Sequence, residues 1–278
     1  MNTKDLEKVL GREIYLPFFG LEQDYRSFYN GKRVLVTGSL GSIGQQILPD
    51  LEYLGATVIE TDIHDMNVLN YPSVYRYLYT YRPDIVIHLA AAKHAPAGEE
   101  NPSDTYRVNA IGTENIVNAI ASTGSVAHLI LASTCKACNP ETAYGASKLI
   151  AERMVLNSGG SVARFYNVVE TSGNVFEIWN AVDEKDPICY TPCMRYFISL
   201  QEAGDYILRV PMLESGRYTI CPGLPRSMED IAHDLYPKRE RKRIDARRGD
   251  RTNEPRIAAQ EVIRDAGFPI ERIISQHD

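Results

Sequence analysis

The sequence predicts an α/β protein built on a doubly wound parallel sheet, and three observations carry that prediction. Apolar strand patterns alternate with helical patterns through the first half of the chain. A glycine-rich loop, Gly38-Ser39-Leu40-Gly41-Ser42-Ile43-Gly44, falls between the first such strand and the first such helix. A carboxylate, Asp62, ends the second strand. Strands that alternate with helices close most economically as a parallel sheet covered on both faces.

Lys32 to Gly38 (KRVLVTG) reads as a short buried strand entering glycine. Ile43 to Leu54 is a helical pattern interrupted by Pro49, and Ala56 to Thr61 is a strand centred on Val58 and Ile59. Met66 to Val68 predicts a third short strand, Val74 to Tyr81 a helix, and Asp84 to Leu89 a fourth strand running into Ala90-Ala91-Ala92. A helix over 113–122, a strand over 128–132, a helix over 146–156 and a strand over 162–165 continue the alternation. Residues 1–30 show mixed periodicity and no strand, and are assigned as an N-terminal leader segment ahead of the sheet domain, 31–166. From Asn167 the pattern turns irregular and rich in Pro, Gly and Tyr, so 167–278 is expected to be mainly a smaller C-terminal substrate-binding region over the carboxyl ends of the strands. Within it, 195–210 is expected to return to the first domain.

The chain has 278 residues, enough for one large domain or two sharing a cleft, and 44% hydrophobic with 24% charged residues is an ordinary globular balance. The N-terminus lacks the layout of a signal peptide and no apolar run approaches bilayer length, so a cytoplasmic location with no membrane partner is expected. Five cysteines are too few for a disulfide scaffold, and an odd number leaves one unpaired, which suits a reducing compartment. A net charge of -6 argues against a nucleic-acid partner. The basic run from Lys238 to Arg251 reads either as a solvated helix face or as a source of arginines for a phosphate.

Gly38, Gly41 and Gly44, with Ser39, Ser42 and Ile43 between them, permit a tight turn and close backbone approach to a pyrophosphate at a helix N-terminus, which makes the domain Rossmann-like. Asp62 lies ~20 residues beyond the loop, where a carboxylate accepts hydrogen bonds from ribose hydroxyls and repels a 2′-phosphate. Ile63 and His64 follow it rather than arginine, so NAD is expected over NADP. Asn67 and Val68 are placed beside the adenine, and Ala90, Ala91 and Ala92 along a narrow cofactor crevice.

Tyr144-Gly145-Ala146-Ser147-Lys148 is Y-x-x-x-K at the start of a helix, with both side chains on one side. An ammonium beside a phenol lowers its pKa from ~10 toward working pH and yields a base for alcohol oxidation. Cys135-x-x-Cys138 and Cys189-x-x-x-Cys193 superficially supply four zinc ligands. A closed zinc site at the mouth of the crevice would obstruct chemistry there, so no metal is expected.

Together these features resemble the extended, nucleotide-sugar-modifying branch of the short-chain dehydrogenase/reductase superfamily. Further segments resemble the CapD-type polysaccharide-biosynthesis proteins: Val9-Leu10-Gly11-Arg12, Ala92-Lys93-His94-Ala95-Pro96, Glu99-Glu100-Asn101-Pro102, Val108-Asn109-Ala110-Ile111-Gly112-Thr113, STCKACNP (133–140), Arg164-Phe165-Tyr166-Asn167-Val168 and Met194-Arg195-Tyr196-Phe197 stand in that order. The resemblance implies a homo-oligomeric UDP-sugar 4,6-dehydratase acting on an N-acetylhexosamine such as UDP-GlcNAc. It implies that Asn109 joins the cofactor set and that Thr134 and Tyr144 bind the sugar O4. Tyr144, helped by Lys148, would remove the hydroxyl proton while hydride leaves C4 for NAD and later returns to C6. Lys136 would take the C5 proton, which requires that desolvation or neighbouring cations keep part of it neutral.

The residue before that lysine is normally an aspartic acid that protonates the departing C6 hydroxyl, and here it is Cys135. Three readings follow: Cys135 is the acid in a variant dehydratase, the reaction stops at C4 oxidation or epimerisation, or the position was altered to trap substrate. For the UDP-sugar, the resemblance places Asn167 and Arg195 at the diphosphate, with Gly173-Asn174-Val175 opening a helix nearby. Arg247 and the Arg248-Gly249-Asp250 segment with Glu254 would hold the nucleotide, and Lys93 and His94 would line the sugar pocket. A UDP-sugar 4-epimerase and a noncatalytic nucleotide-sugar-binding protein are the alternatives.

Overall fold

A computed structural model describes residues 1–15, 21–93, 95–124, 127–246 and 249–276. Two helices, α1 (Thr3–Leu10) and α2 (Glu22–Tyr29), open the chain. The first half then runs β1 (Arg33–Thr37), α3 (Ser42–Tyr53), β2 (Thr57–Thr61), α4 (Tyr71–Tyr81), β3 (Ile85–His88), α5 (Ala95–Glu100), α6 (Pro102–Tyr106), a π-helical turn over Arg107–Ile111, α7 (Gly112–Thr123), β4 (His128–Thr134), a 3-10 turn over Cys135–Ala137, α8 (Ala143–Asn157) and β5 (Ser161–Phe165). The second half adds β6 (Asn167–Val168), α9 (Val175–Ala181), β7 (Ile188–Tyr190), β8 (Met194–Arg195), β9 (Phe197–Ile198), α10 (Leu200–Arg209), β10 (Arg217–Ile220), β11 (Arg226–Ser227), α11 (Met228–Leu235), β12 (Arg241–Arg243), β13 (Glu261–Asp265) and β14 (Ile270–Ser275).

Eight strands form one sheet in the order β13-β14-β10-β5-β4-β3-β1-β2. The six from β10 to β2 are parallel, and β14 and β13 extend the β10 edge as an antiparallel hairpin. The chain leaves β1 toward β2 and comes back on the other side as β3, so the strand order reverses there. In open α/β sheets a ligand crevice lies outside the carboxyl ends of the strands at such a point. α3 packs against α10 on one face, and α4, α7 and α8 pack together on the other. Val34 and Val36 point to the first face and Leu35 to the second, so both sides of β1 are buried. Full burial of a Leu or Val side chain contributes roughly 1.5–3 kcal/mol, which is why the central strands are nearly all apolar.

Three expectations about elements are corrected. Met66 to Val68 is not a strand: Asp62–Asn70 is a run of turns, and Met66 and Val68 are apolar because they cap the Leu35 side of the core. Pro49 does not interrupt its helix, which continues from Ser42 to Tyr53 with Ile47, Leu48 and Leu51 buried around it. Packing on both sides compensates for the one backbone hydrogen bond a proline forfeits. The basic run does not form a helix over its described residues, since β12 pairs there with β7 and Arg239 donates to the carbonyls of Val182, Asp183 and Asp186.

The boundaries drawn at 30 and 166 do not bound the core. Tyr25 and Tyr29 of α2 are buried in the first-face core, where Tyr29 Oη donates to the Leu208 carbonyl at 2.5 Å. Leu6, Val9 and Leu10 of α1 join Phe176, Trp179, Phe197 and Ile231 in a separate apolar cluster beneath the C-terminal region. These helices have eight residues each, too short for a periodic pattern to stand out. β10, β13 and β14 all come from beyond 166 and complete the main sheet. Among the described residues no helix is long and apolar enough to cross a membrane.

A group of buried charges ties that late hairpin to α8. Arg164 on β5 pairs with Glu152 at 2.7 Å and Glu261 at 2.7 Å, and Arg217 on β10 pairs with Glu152 at 3.1 Å and Glu261 at 3.6 Å. Ser133 donates to Glu152 from the neighbouring strand end. Two guanidiniums against two carboxylates, with hydrogen bonds to spare, is the arrangement that makes buried charge tolerable.

Candidate active site

A cavity of about 740 Å³ opens over the carboxyl ends of β1, β3, β4 and β5. One end is the glycine loop. Gly38 has φ of +68°, and a Cβ there would stand 2.8 Å from the Ala90 backbone nitrogen. A Cβ on Gly44 would stand 2.8 Å from the Gly38 carbonyl oxygen, so both positions need glycine for the turn to close. Gly41 is the N-cap of α3 and supplies no side-chain cap, which leaves the first-turn N–H groups facing the cavity for an anion. Gly38, Gly41, Ser42, Ile43 and Gly44 line the cavity with Asp62, Asn67, Val68, Ala90 and Ala91. Asp62 also accepts from the Ile63 and Leu40 N–H groups, at 2.7 and 3.3 Å. This cradle and carboxylate fit a dinucleotide.

Three residues expected here do not line the cavity. Ser39 is buried, and its backbone N–H donates to the Thr61 carbonyl. Ala92 is tied to Asn109, whose side chain accepts from Ala92 N at 2.8 Å and donates to the Ala92 carbonyl and to Ser147 Oγ. Asn109 sits in the π-helical turn before α7, with 1% exposure, and joins the tail of β3 to α8. It positions the crevice wall without lining it.

The other end of the cavity is carried by the end of β4 and the first turns of α8. Thr142 caps α8, its side chain accepting from Gly145 N at 3.0 Å, and Glu99 accepts from Ala143 N at 2.7 Å. Tyr144 and Lys148 follow on one face, and both line the cavity with Thr134 and Lys136. Lys148 Nζ donates to the Ala132 carbonyl at 3.0 Å, and burial lowers its pKa to about 8 against the opposing pull of Glu152. Burial raises the Tyr144 phenol above its usual value, with Lys136 and the Thr134 hydroxyl opposing. The cation opposing burial at Tyr144 in this state is Lys136, in place of the expected Lys148.

Lys136 forms an ion pair with Glu254 at 2.8 Å and donates to Asn167 Oδ1 at 3.4 Å. Burial works to lower its pKa, but Glu254, Cys135 and Tyr144 together outweigh burial and hold the ammonium above its ordinary value. Lys136 thus rests charged, against the expectation of a partly neutral base. Glu254, expected at the nucleotide, is paired here with Lys136, with Arg195 Nε at 3.5 Å and Asn167 Nδ2 donating to its other oxygen at 2.6 Å. Burial raises its pKa, while Lys136 and Arg195 lower it by more, so it rests as carboxylate. Cys135 is 1% exposed, belongs to the first-face core and does not line the cavity. Burial and then Glu254 push its thiol up to about 11.

Asn167, Arg195 and Lys93 line the cavity, and Lys93 Nζ donates to the carbonyl and hydroxyl of Ser172. Gly173, Asn174 and Val175 also line it and open α9, but the Asn174 side chain accepts from Phe176 N and Glu177 N. That helix N-terminus is capped from within, unlike α3, and has less to offer a diphosphate. His94, Arg247 and Arg248 lie outside the described residues. Sequence reasoning missed Arg251, which lines the cavity and donates to the Cys138 and Asn139 carbonyls, and Ser172, whose N–H donates to Ser42 Oγ at 3.2 Å across the cavity mouth. The basic run signalled an arginine without saying which. Among the described residues no three His, Cys, Asp or Glu side chains converge as metal ligands.

The profile of the polysaccharide biosynthesis protein family matches residues 56–274. The UDP-N-acetylglucosamine 4,6-dehydratase (inverting) of Campylobacter jejuni is 30% identical over 84% of this chain and 79% of that protein. The probable polysaccharide biosynthesis protein EpsC of Bacillus subtilis is 31% identical over 74% of this chain, which spans 40% of that longer relative. Pen from Bacillus thuringiensis shares the fold, with a TM-score of 0.77 at 21% identity over 89% of this chain and 90% of that one.

Proposed function

This chain belongs to the polysaccharide biosynthesis protein family, and on that premise we propose that it is an NAD-dependent 4,6-dehydratase of a UDP-N-acetylhexosamine such as UDP-GlcNAc. The observation that carries the reading is one shared cavity lined by the glycine cradle, Asp62, Thr134, Lys136, Tyr144 and Lys148. A nicotinamide dinucleotide held by the Gly38–Gly44 loop and Asp62 supplies a reversible two-electron acceptor. Asp62, followed by the exposed Ile63, supports NAD over NADP, since a carboxylate repels a 2′-phosphate.

Thr134 and Tyr144 orient the C4 hydroxyl, and Tyr144 removes its proton when C4 is oxidised to a ketone. The ketone acidifies the C5 hydrogen beside Lys136. Arg195 and Arg251 supply positive charge for a diphosphate. Departure of the C6 hydroxyl as water and saturation of C6 complete the dehydration.

A second reading, 4-epimerisation, is favoured by one observation: Cys135 is sealed in the core, and epimerisation needs no acid at C6. Incubation with UDP-GlcNAc and NAD separates the two, a product lighter by one water supporting dehydration and a mass-neutral isomer supporting epimerisation. Tyr144→Phe is expected to slow either reaction at least ~100-fold. Recovery of unchanged UDP-N-acetylhexosamines after incubation with NAD and with NADP would sink both.

A further inference from the structure

We propose that Glu254 is the general acid of the elimination, exchanging a proton with Lys136 so that the two act as one acid–base pair. The proposal rests on the dehydratase reading above and names the group that reading leaves open.

Elimination beside a ketone needs a base at C5 and an acid at C6 within reach of one another. Cys135 lies behind the cavity wall with a thiol held well above its ordinary pKa, so it reaches neither atom. Glu254 lines the cavity, and its buried Oε1 lies 2.8 Å from Lys136 Nζ as an ion pair without an aligned hydrogen bond, so a turn of either side chain is what brings the two into proton-transfer geometry. Asn167 touches both partners, donating to Glu254 Oε2 at 2.6 Å and accepting from Lys136 Nζ at 3.4 Å, so it fixes their mutual orientation and leaves Oε1 as the exchanging oxygen. Arg195 is the second cation on that oxygen, at 3.5 Å. The Glu254 side chain has 1% exposure, whereas the Lys136 side chain keeps 23% toward the cavity.

At rest the pair is ammonium and carboxylate. Burial disfavours both charges, and their attraction together with Arg195 holds them. A bound diphosphate competes for Arg195, and the bound sugar displaces cavity water, so both changes favour the neutral pair, Lys136 amine and Glu254 carboxylic acid. From that state the steps balance. Lys136 takes the C5 proton, the electron pair left behind forms the C5–C6 double bond as the C6–O bond breaks, and Glu254 gives its proton to the leaving oxygen, which departs as water. The pair is then ammonium and carboxylate again. The two electrons removed at C4 are delivered to C6, Lys136 returns a proton to C5, and the proton that Tyr144 took from the C4 hydroxyl reprotonates Lys136. Lys136 and Tyr144 are close enough to perturb one another's ionisation, as this last transfer requires.

The test is the split between elimination and the C4 oxidation before it, read with NAD and UDP-GlcNAc. Glu254→Gln keeps the shape and the hydrogen bond but carries no acid. It is expected to cut water loss at least ~100-fold while C4 oxidation, read as single-turnover reduction of NAD, persists within ~5-fold. Glu254→Asp, which keeps a carboxyl, is expected to recover at least ~10-fold over Gln, and Cys135→Ala to lose at least ~10-fold less than Gln. Water loss by Glu254→Gln within ~3-fold of the wild type overturns the pair while leaving the dehydratase reading intact. A parallel fall in oxidation and elimination also overturns it, because Glu254 is then a structural residue. No water loss by the wild type from any UDP-N-acetylhexosamine overturns the dehydratase reading and the pair together.

Discussion

Arg164, Arg217, Glu152 and Glu261 form one group of buried charges, and Lys136, Arg195 and Glu254 form another. The first counts two cations and two anions, all at most 4% exposed, and lies between β5, β10, β13 and α8 with Ser133 and Cys138 closing its remaining valences. The second counts two cations and one anion, and it faces a cavity. The balanced, sealed group holds elements together. The unbalanced, open one keeps a surplus positive charge for an anionic ligand and a proton that can move. Perturbed ionisation in both groups shows that a displaced pKa does not by itself mark a functional site, and access to the cavity is what separates them.

The largest expected effect comes from breaking the sealed group. Glu152→Ala leaves two guanidiniums facing one carboxylate and is expected to cost about 3–5 kcal/mol in urea unfolding. The same measurement on Glu254→Gln is expected to show less than half that loss, because Lys136 can turn to cavity water. Equal losses would erase the distinction between the two groups.

Lys148 stands between them on α8 and gives a pH-dependent test. Its folded pKa of about 8 lies below its ordinary 10.5, with burial the main cause. Below about pH 8 both folded and unfolded chains hold the proton and the burial penalty is fully present; between there and about pH 10.5 the unfolded chain holds more, so this group's contribution to stability improves as pH rises. Lys148→Met removes the penalty. Its stability relative to wild type should therefore be most favourable near about pH 7 and fall by about pH 10, as read by thermal unfolding of both proteins. A pH-independent difference would refute the assignment. The smallest effect is expected at the exposed Lys8–Asp5 pair on α1, 3.0 Å apart, where Lys8→Ala should change stability by no more than about 0.5 kcal/mol. A larger loss would mean that α1 depends on surface charge as well as on Leu6, Val9 and Leu10.

The parts of the site legible in the sequence are those whose chemistry is local. Gly38 and Gly44 announce a turn that admits no Cβ, Asp62 follows at strand spacing, and Tyr144 and Lys148 share a helix face. Ser39 and Asn109 sit in the same local patterns but turn inward, and nothing in the spacing distinguishes a residue that lines a crevice from one that braces it. Met66 and Val68 carried a strand-like apolar signal that burial alone explains. The hairpin β13–β14 escaped because its partner β10 is remote in the chain, and the contribution of α1 escaped because its partners, Phe176 and Trp179, lie in another region altogether.

Order along the chain is enough to specify a parallel α/β core, a tight glycine turn between strand and helix and a Tyr–Lys helix face, since strand period, glycine geometry and helical spacing act over a few residues. Packing assigns the rest. It places Cys135 in the core, joins Lys136 to Glu254 and Arg195, and spends Lys148 on the Ala132 carbonyl. Those assignments concern protonation, and the charge a buried group carries is set by the water it loses and the charges it meets, most of which arrive from distant parts of the chain.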